Sequence, residues 1–270
     1  PYFGGSHLPD ITIIHPIFYE GRLIFYAVNR AHHSDVGGGT HGGYNPAATE
    51  IYQEGLRIPP LRLYDRGVPR DDLLQMLAAN VRHPENFLGD LNAQIGSVKI
   101  AARRAESLLD HYGIDRLMGY VSGILAATER QVRQFIADWP DGTYHGESLV
   151  DDDGFDSKMI PICATVTIQG DSMSIDLSES SPQVTGFINS VYANTRSLAH
   201  AAIMYLAPAD VPKNEGSMRP VRIIAPRGLI VNANPPSPVC MSTNHCAEEI
   251  VEAIFKALAP GIPKAVTAGF

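Results

Sequence analysis

Two histidine-acid clusters stand out near the start of the chain: His7-Leu8-Pro9-Asp10 beside Gly4-Gly5, and His32-His33-Ser34-Asp35 followed by Gly37-Gly38-Gly39. Two imidazoles and one carboxylate form an open shell that suits a borderline first-row ion such as Zn, Mn or Fe. Ca and Mg prefer oxygen alone. His7, Asp10 and His32 are the expected ligands. His33 and Asp35 are substitutes or orienting partners, because a ligating imidazole usually donates its other N–H to a carboxylate or carbonyl. Each has a plainer reading: a histidine at a strand end is often only hydrogen-bonded, and Asp35 can simply start the turn that the glycines complete. The glycines themselves read as backbone that approaches a small ligand closely.

The elements that must position these residues are strands. Asp10 to Phe18 is β-branched and apolar, Glu20-Gly21 suits a turn, and Leu23 to Val28 is a second apolar, aromatic run, so a β-hairpin is expected. With the turn centred on Glu20-Gly21, paired numbers sum to 41 and His32 falls opposite Pro9, between His7 and Asp10. Opposed antiparallel Cα atoms lie about 4.5–5.5 Å apart, so three ligand-type side chains meet.

Downstream, Leu88, Leu91, Ile95, Val98, Ala102, Ala105, Leu109 and Tyr112 mark the seam of a helix ending at Gly113. A second helix, from Asp115 to about Ala137, can lie antiparallel to it. Gly89 and Gly96 each cost the first helix about 1 kcal/mol unless they permit close packing. Strands are expected at Tyr144 to Val150, Met159 to Gln169 and Ser172 to Leu177, then short ones at Val221 to Ile224 and Leu229 to Val231. Helices are expected near Asn189 to Leu206 and Asn244 to Leu258, the latter capped by Asn244. Asp151-Asp152-Asp153-Gly154 lacks the spacing of a calcium loop and reads as a solvated acidic turn. The fold class is mixed α/β, with a β-rich metal region over 1–65, a helical hairpin over 66–140 and a mixed region over 141–270.

Several ordered blocks resemble the hydantoinase B/oxoprolinase family. They are Pro1 to Asp10, His32 to Gly38, Gln53 to Pro60, Asn80-Val81-Arg82, Gly89 to Gln94, Asn214-Glu215-Gly216 with Arg219-Pro220, and Pro235 to Val239. The resemblance covers nearly the whole chain and places the family's metal positions on His7, Asp10 and His32. It implies a subunit that opens hydantoins, 5-oxoproline or lactams after an actin-like, hydantoinase A-like partner has spent ATP on the substrate. Phosphorylating the amide oxygen makes it a leaving group, and water activated by the metal attacks the adjacent carbon. In that scheme Asp35 orients a ligand or accepts a proton, Glu54 is a candidate general base, and His33 and His41 shuttle protons or bind phosphate. Glu54-Gly55 can equally be a loop anchor before Pro59-Pro60. The chain opens inside what looks like an Asn-Asp-Pro-Tyr motif, which implies a piece of a longer protein whose upstream part can supply another acidic ligand.

The composition is that of an ordinary enzyme: 270 residues, 44% hydrophobic, with a formal net charge of −8. An acidic balance argues against nucleic acid and anionic membrane as partners. No apolar run is long enough to cross a bilayer. Cys163, Cys240 and Cys246 lack metal-type spacing and read as reduced thiols in a cytoplasmic protein. Cys240 and Cys246 are nucleophile candidates with no neighbouring base to mark them. Gly37 to Gly43 is glycine-rich but lacks the Lys-Ser/Thr of a phosphate loop, so ATP use is assigned to the partner in a hetero-oligomer. Three functions remain: a hydrolase subunit for phosphorylated cyclic amides, a subunit of an acetone/acetophenone-type carboxylase, and a noncatalytic module.

Overall fold

A computed structural model describes residues 1–262. The chain divides into two compact units: residues 1–7, 46–51 and 120 onward, and residues 8–45 with 52–119. The fold is mixed α/β, as expected. The division cuts the 66–140 segment at Gly119/Tyr120.

In the unit of residues 8–45 and 52–119, β1 (Asp10–Tyr19) and β2 (Arg22–His32) form the hairpin. Glu20 and Gly21 both have positive φ, 49° and 73°, as a two-residue type I′ turn requires. The pairing starts on the expected sum, Tyr19 with Arg22 and Phe18 with Leu23, and then shifts by one residue. Ile24 is left over as a bulge, so Ile17 pairs with Phe25 and Asp10 pairs with His32. The expected partner of His32, Pro9, is therefore corrected to Asp10. A one-residue shift moves side chains to the other face, and here it puts Asp10 and His32 on the same one.

The opposite face of the hairpin buries Ile13, Ile17 and Ala27 against α2 (Pro84–Tyr112). The seam read from the sequence is real and α2 does end at Gly113. Its Leu91, Ile95, Val98 and Ala102 are buried in the cluster with the hairpin. α3 (Ile114–Ala137) contributes nothing to that cluster. A Cβ on Gly89 or Gly96 would meet no atom within 4 Å, so neither serves close packing. A two-residue ladder, β3 (Tyr64–Asp65) with β4 (Val68–Pro69), precedes α1 (Asp71–Ala78).

In the unit containing residues 120 onward, β5 (Gly142–Val150), β6 (Ile160–Gln169) and β7 (Ser172–Asp176) form an antiparallel meander. β8 (Val221–Ile224) joins β7 in parallel. A parallel pair needs a crossover, and α4 (Tyr192–Leu206) lies within it, followed by the short α5 (Glu215–Met218). α6 (Ala247–Leu258) packs on β5 and β6. Along β6, Ile160, Ile162, Ala164, Val166 and Ile168 alternate into the core. Gly146 lets α6 approach, since a Cβ there would sit 2.2 Å from the Ala253 carbonyl oxygen.

Three expectations are corrected here. Leu229 to Val231 is not a strand and makes only isolated bridges, Leu229 to Pro182 and to Asn232. Asn244 does not cap α6, which starts after Cys246. The 151–154 turn is organised by a buried residue, Asp153, whose Oδ1 accepts the N–H groups of Phe155 and Asp156 at 3.0 and 2.8 Å. No helix among the described residues is long and apolar enough to cross a membrane.

Candidate metal centre

Asp10 opens β1, His32 closes β2, and His7 lies three residues before Asp10. One ligand atom from each lies within 4.8 Å of the other two, which makes them the group suited to a metal ion among the described residues. Donors about 2.0–2.2 Å from a common ion sit roughly 3–4 Å apart. Asp10 Oδ1 is 3.1 Å from His32 Nδ1. His7 is buried, and its Nδ1 is 2.8 Å from the Cys240 carbonyl oxygen. A carbonyl only accepts, so Nδ1 of His7 carries the proton and Nε2 is the lone-pair nitrogen of the ring. His32 is half exposed, leaving that side open to solvent or substrate. The donor set, the fixed tautomer and the spacing all fit a first-row divalent ion.

The other expected residues are placed elsewhere. Successive strand residues face opposite sides, so His33 points away from His32. Its ring is fully buried, lies 4.9 Å from the Phe87 ring and bonds through Nε2 to Gln94 Oε1 at 2.8 Å. A proton shuttle needs access to the reacting atoms, and this side chain is on the wrong face. Asp35 is also a structural group. Its carboxylate accepts the Gly37 N–H at 3.2 Å, the Arg82 N–H, and the Arg82 guanidinium at 2.9 Å. Burial alone would raise its pKa, but these hydrogen bonds outweigh burial and hold it below the usual carboxylate range. A carboxylate so held is a poor proton acceptor, and the turn-forming reading of Asp35 is the one that fits.

Gly37 and Gly38 face neighbouring backbone at close range. A Cβ on Gly38 would lie 2.5 Å from the Glu54 carbonyl carbon, and one on Gly37 2.6 Å from the Asn80 oxygen. Gly39 N–H donates to the Gln53 oxygen at 2.8 Å and Leu56 N–H to the Val36 oxygen at 2.8 Å. The glycine run exists so that two backbones can touch, and buried Glu54 sits in the second of them. That favours the anchor reading for Glu54. His41 lies at the exposed end of this loop, 5.6 Å from the His83 ring. Cys246 is fully buried, and burial pushes its thiol far above the usual range, the opposite of what an activated nucleophile needs. Gln94 and Arg82 carry no signal of a site role in the sequence, and Cys240 reads there as a nucleophile candidate, not as the carbonyl partner of His7. Their roles depend on partners 83, 47 and 233 residues away, and no local spacing announces them.

Comparison with known proteins agrees with the motifs. The hydantoinase B/oxoprolinase family model matches residues 1–270. The caprolactamase beta chain of Pseudomonas jessenii is 38% identical over 271 residues, covering all of this chain and 46% of the relative. A putative D-/L-hydantoinase component of Pseudomonas sp. (strain NS671) is 32% identical over 284 residues, covering all of this chain and 47% of the relative. The crystal structure of the ATP-dependent caprolactamase from Pseudomonas jessenii superposes with a TM-score of 0.92 over 98% of this chain and 46% of that one. A nucleotide-free acetone carboxylase structure gives 0.89 at 19% identity, over 99% of this chain and 38% of that one, a likeness of fold alone. The chain thus spans just under half the length of its two enzyme relatives named here. It belongs to the hydantoinase B/oxoprolinase family.

Proposed function

We propose that this chain is the metal-dependent part of a hydrolase that opens cyclic amides at the C–N bond, in a complex that spends ATP. The observation that carries the reading is the His7–Asp10–His32 cluster, in a chain that aligns end to end with part of a caprolactamase. An ion held there would supply Lewis-acid activation of water or of a carbonyl oxygen. The Cys240 carbonyl keeps His7 in one tautomer, and the hairpin register keeps Asp10 and His32 on one face. The exposed side of His32 is the approach route for substrate.

ATP enters through a partner, an ATPase of the hydantoinase A type. In the glycine-rich loop of this chain Gly38 and Gly39 already pack against the Gln53–Gly55 backbone, and the loop lacks the Lys-Ser/Thr of a phosphate loop. An unstrained amide is a poor electrophile, and phosphorylation of its oxygen by the partner creates a leaving group. The carboxylase reading stays as the second, supported by the similar fold of acetone carboxylase.

The test uses the full chain with its ATPase partner, ATP, labelled water and a panel of caprolactam, 5-oxoproline and hydantoin. Solvent oxygen should appear in the ring-opened carboxylate, and the chain without its partner should turn over neither ATP nor an unactivated cyclic amide. A complex that leaves every cyclic amide intact and fixes labelled bicarbonate into a ketone overturns the hydrolase reading in favour of carboxylation.

A further inference from the structure

Gln94 is a polar residue on an apolar seam. It is buried on α2 between Leu91, Ile95 and Val98, where an aliphatic side chain would pack without the cost of burying an amide. It makes three hydrogen bonds instead. Nε2 donates to the Ile11 carbonyl at 2.9 Å and to Asn29 Oδ1 at 2.8 Å, and Oε1 lies 2.8 Å from His33 Nε2. The first partner is on β1 and the other two are on or just after β2.

The proton positions in this network follow from one another. The Ile11 carbonyl can only accept, so the Gln94 nitrogen faces it and the Gln94 oxygen faces His33. His33 therefore carries its proton on Nε2. Ser97 Oγ donates to the Gln94 carbonyl at 2.9 Å and receives Asn29 Nδ2 at 2.8 Å, which turns Asn29 Oδ1 toward Gln94. Every amide in the network has one orientation. Ile11 follows Asp10, and His33 follows His32, so a single side chain grips both strands one residue beyond each ligand.

We propose that Gln94 is a positioning residue for the Asp10–His32 pair, fixing from the buried face of the hairpin the spacing of the two ligands on its other face. The inference rests on the metal reading above. Two strands joined only by their ladder fray at the open end, and the ligands sit at that end, directly opposite each other. The His33 N–H bonded to the Pro9 oxygen at 2.9 Å is the last ladder contact there. Gln94 ties this end to a helix of 29 residues.

The experiment titrates the full chain with Zn2+ against a competing chelator and records the visible absorption of the Co2+ form. Gln94→Met keeps the side-chain length and removes all three hydrogen bonds. It should weaken Zn2+ binding by about 10- to 100-fold and alter the Co2+ spectrum. Leu91→Ala, which loosens the same core, should lower stability and leave affinity and spectrum unchanged. Should Gln94→Met not fold, Gln94→Glu retains an acceptor for His33 while setting a second oxygen against the Ile11 and Asn29 oxygens, with the same weakening expected. Wild-type affinity and spectrum in the folded variant overturn the proposal while leaving the metal site standing, as does equal weakening by Leu91→Ala. A wild-type chain that binds neither ion removes the metal reading, and this inference with it.

Discussion

Asp10 stands directly across the hairpin from His32, with 3.1 Å between Oδ1 and Nδ1, because one residue of β2, Ile24, has no partner on β1. Without that bulge, the same turn would set His32 against Pro9 and put the two ligand-type side chains on opposite faces. The bulge makes the pair.

Replacing His32 with Ala should remove the ion and leave the fold nearly unchanged. The side chain is half exposed and belongs to neither apolar core, so the stability change should stay within about 0.5 kcal/mol. Metal analysis of folded, gel-filtered protein decides the matter: full occupancy in the variant refutes the ligand assignment.

Asp35→Asn should cost stability, not metal. It weakens charge-assisted hydrogen bonds with Gly37 and Arg82, worth about 1.5–3 kcal/mol in total after allowing for the partly exposed guanidinium. The pH dependence follows from the sign of the shift. A folded-state pKa below the unfolded one gives stability that is complete above about pH 4 and is lost as pH falls through the lowered value. Urea unfolding at pH 6 and pH 3.5 should show the gap between wild type and variant narrowing at the acid value. A gap that widens there contradicts this account.

Two glycine-to-alanine changes should have opposite signs. Gly89 is an exposed helical position with open space around it, so alanine should stabilise by about 0.5–1 kcal/mol. Gly38 has φ +80° and the Glu54 backbone at 2.5 Å from a Cβ, so alanine should destabilise by more than about 2 kcal/mol. Thermal melts of the two variants provide the comparison, and a destabilised Gly89→Ala would mean that something else covers that helix face.

Cys240 and Cys246 should resist alkylation in the folded chain. Both are buried, and the Cys246 thiol is held protonated. Iodoacetamide at pH 8 followed by mass spectrometry should label them only after unfolding, whereas rapid labelling of native Cys246 would restore it as a nucleophile candidate.

Much of this was legible in the sequence, for local reasons. The positive-φ turn at Glu20-Gly21, the α2 seam with its stop at Gly113 and the alternation along β6 each depend on neighbours a few residues apart, which propensity and periodicity describe directly. The types and approximate nearness of His7, Asp10 and His32 were legible on the same basis, and the ordered motifs gave the family.

Tertiary structure decided what depends on distant partners. The bulge at Ile24 lets the hairpin present Ile13, Ile17 and Ala27 to α2 along its length, a packing requirement that no turn residue announces. His33 and Asp35 carry the same chemistry on paper as His32 and Asp10. Strand alternation turns His33 into the core, and Arg82, 47 residues on, claims Asp35. The glycines look alike in sequence whether they admit a ligand or another stretch of backbone, and only the approach of Gln53–Gly55 shows which. Residue type set what each group can do, while burial, register and partners at long range selected the groups brought together to do it.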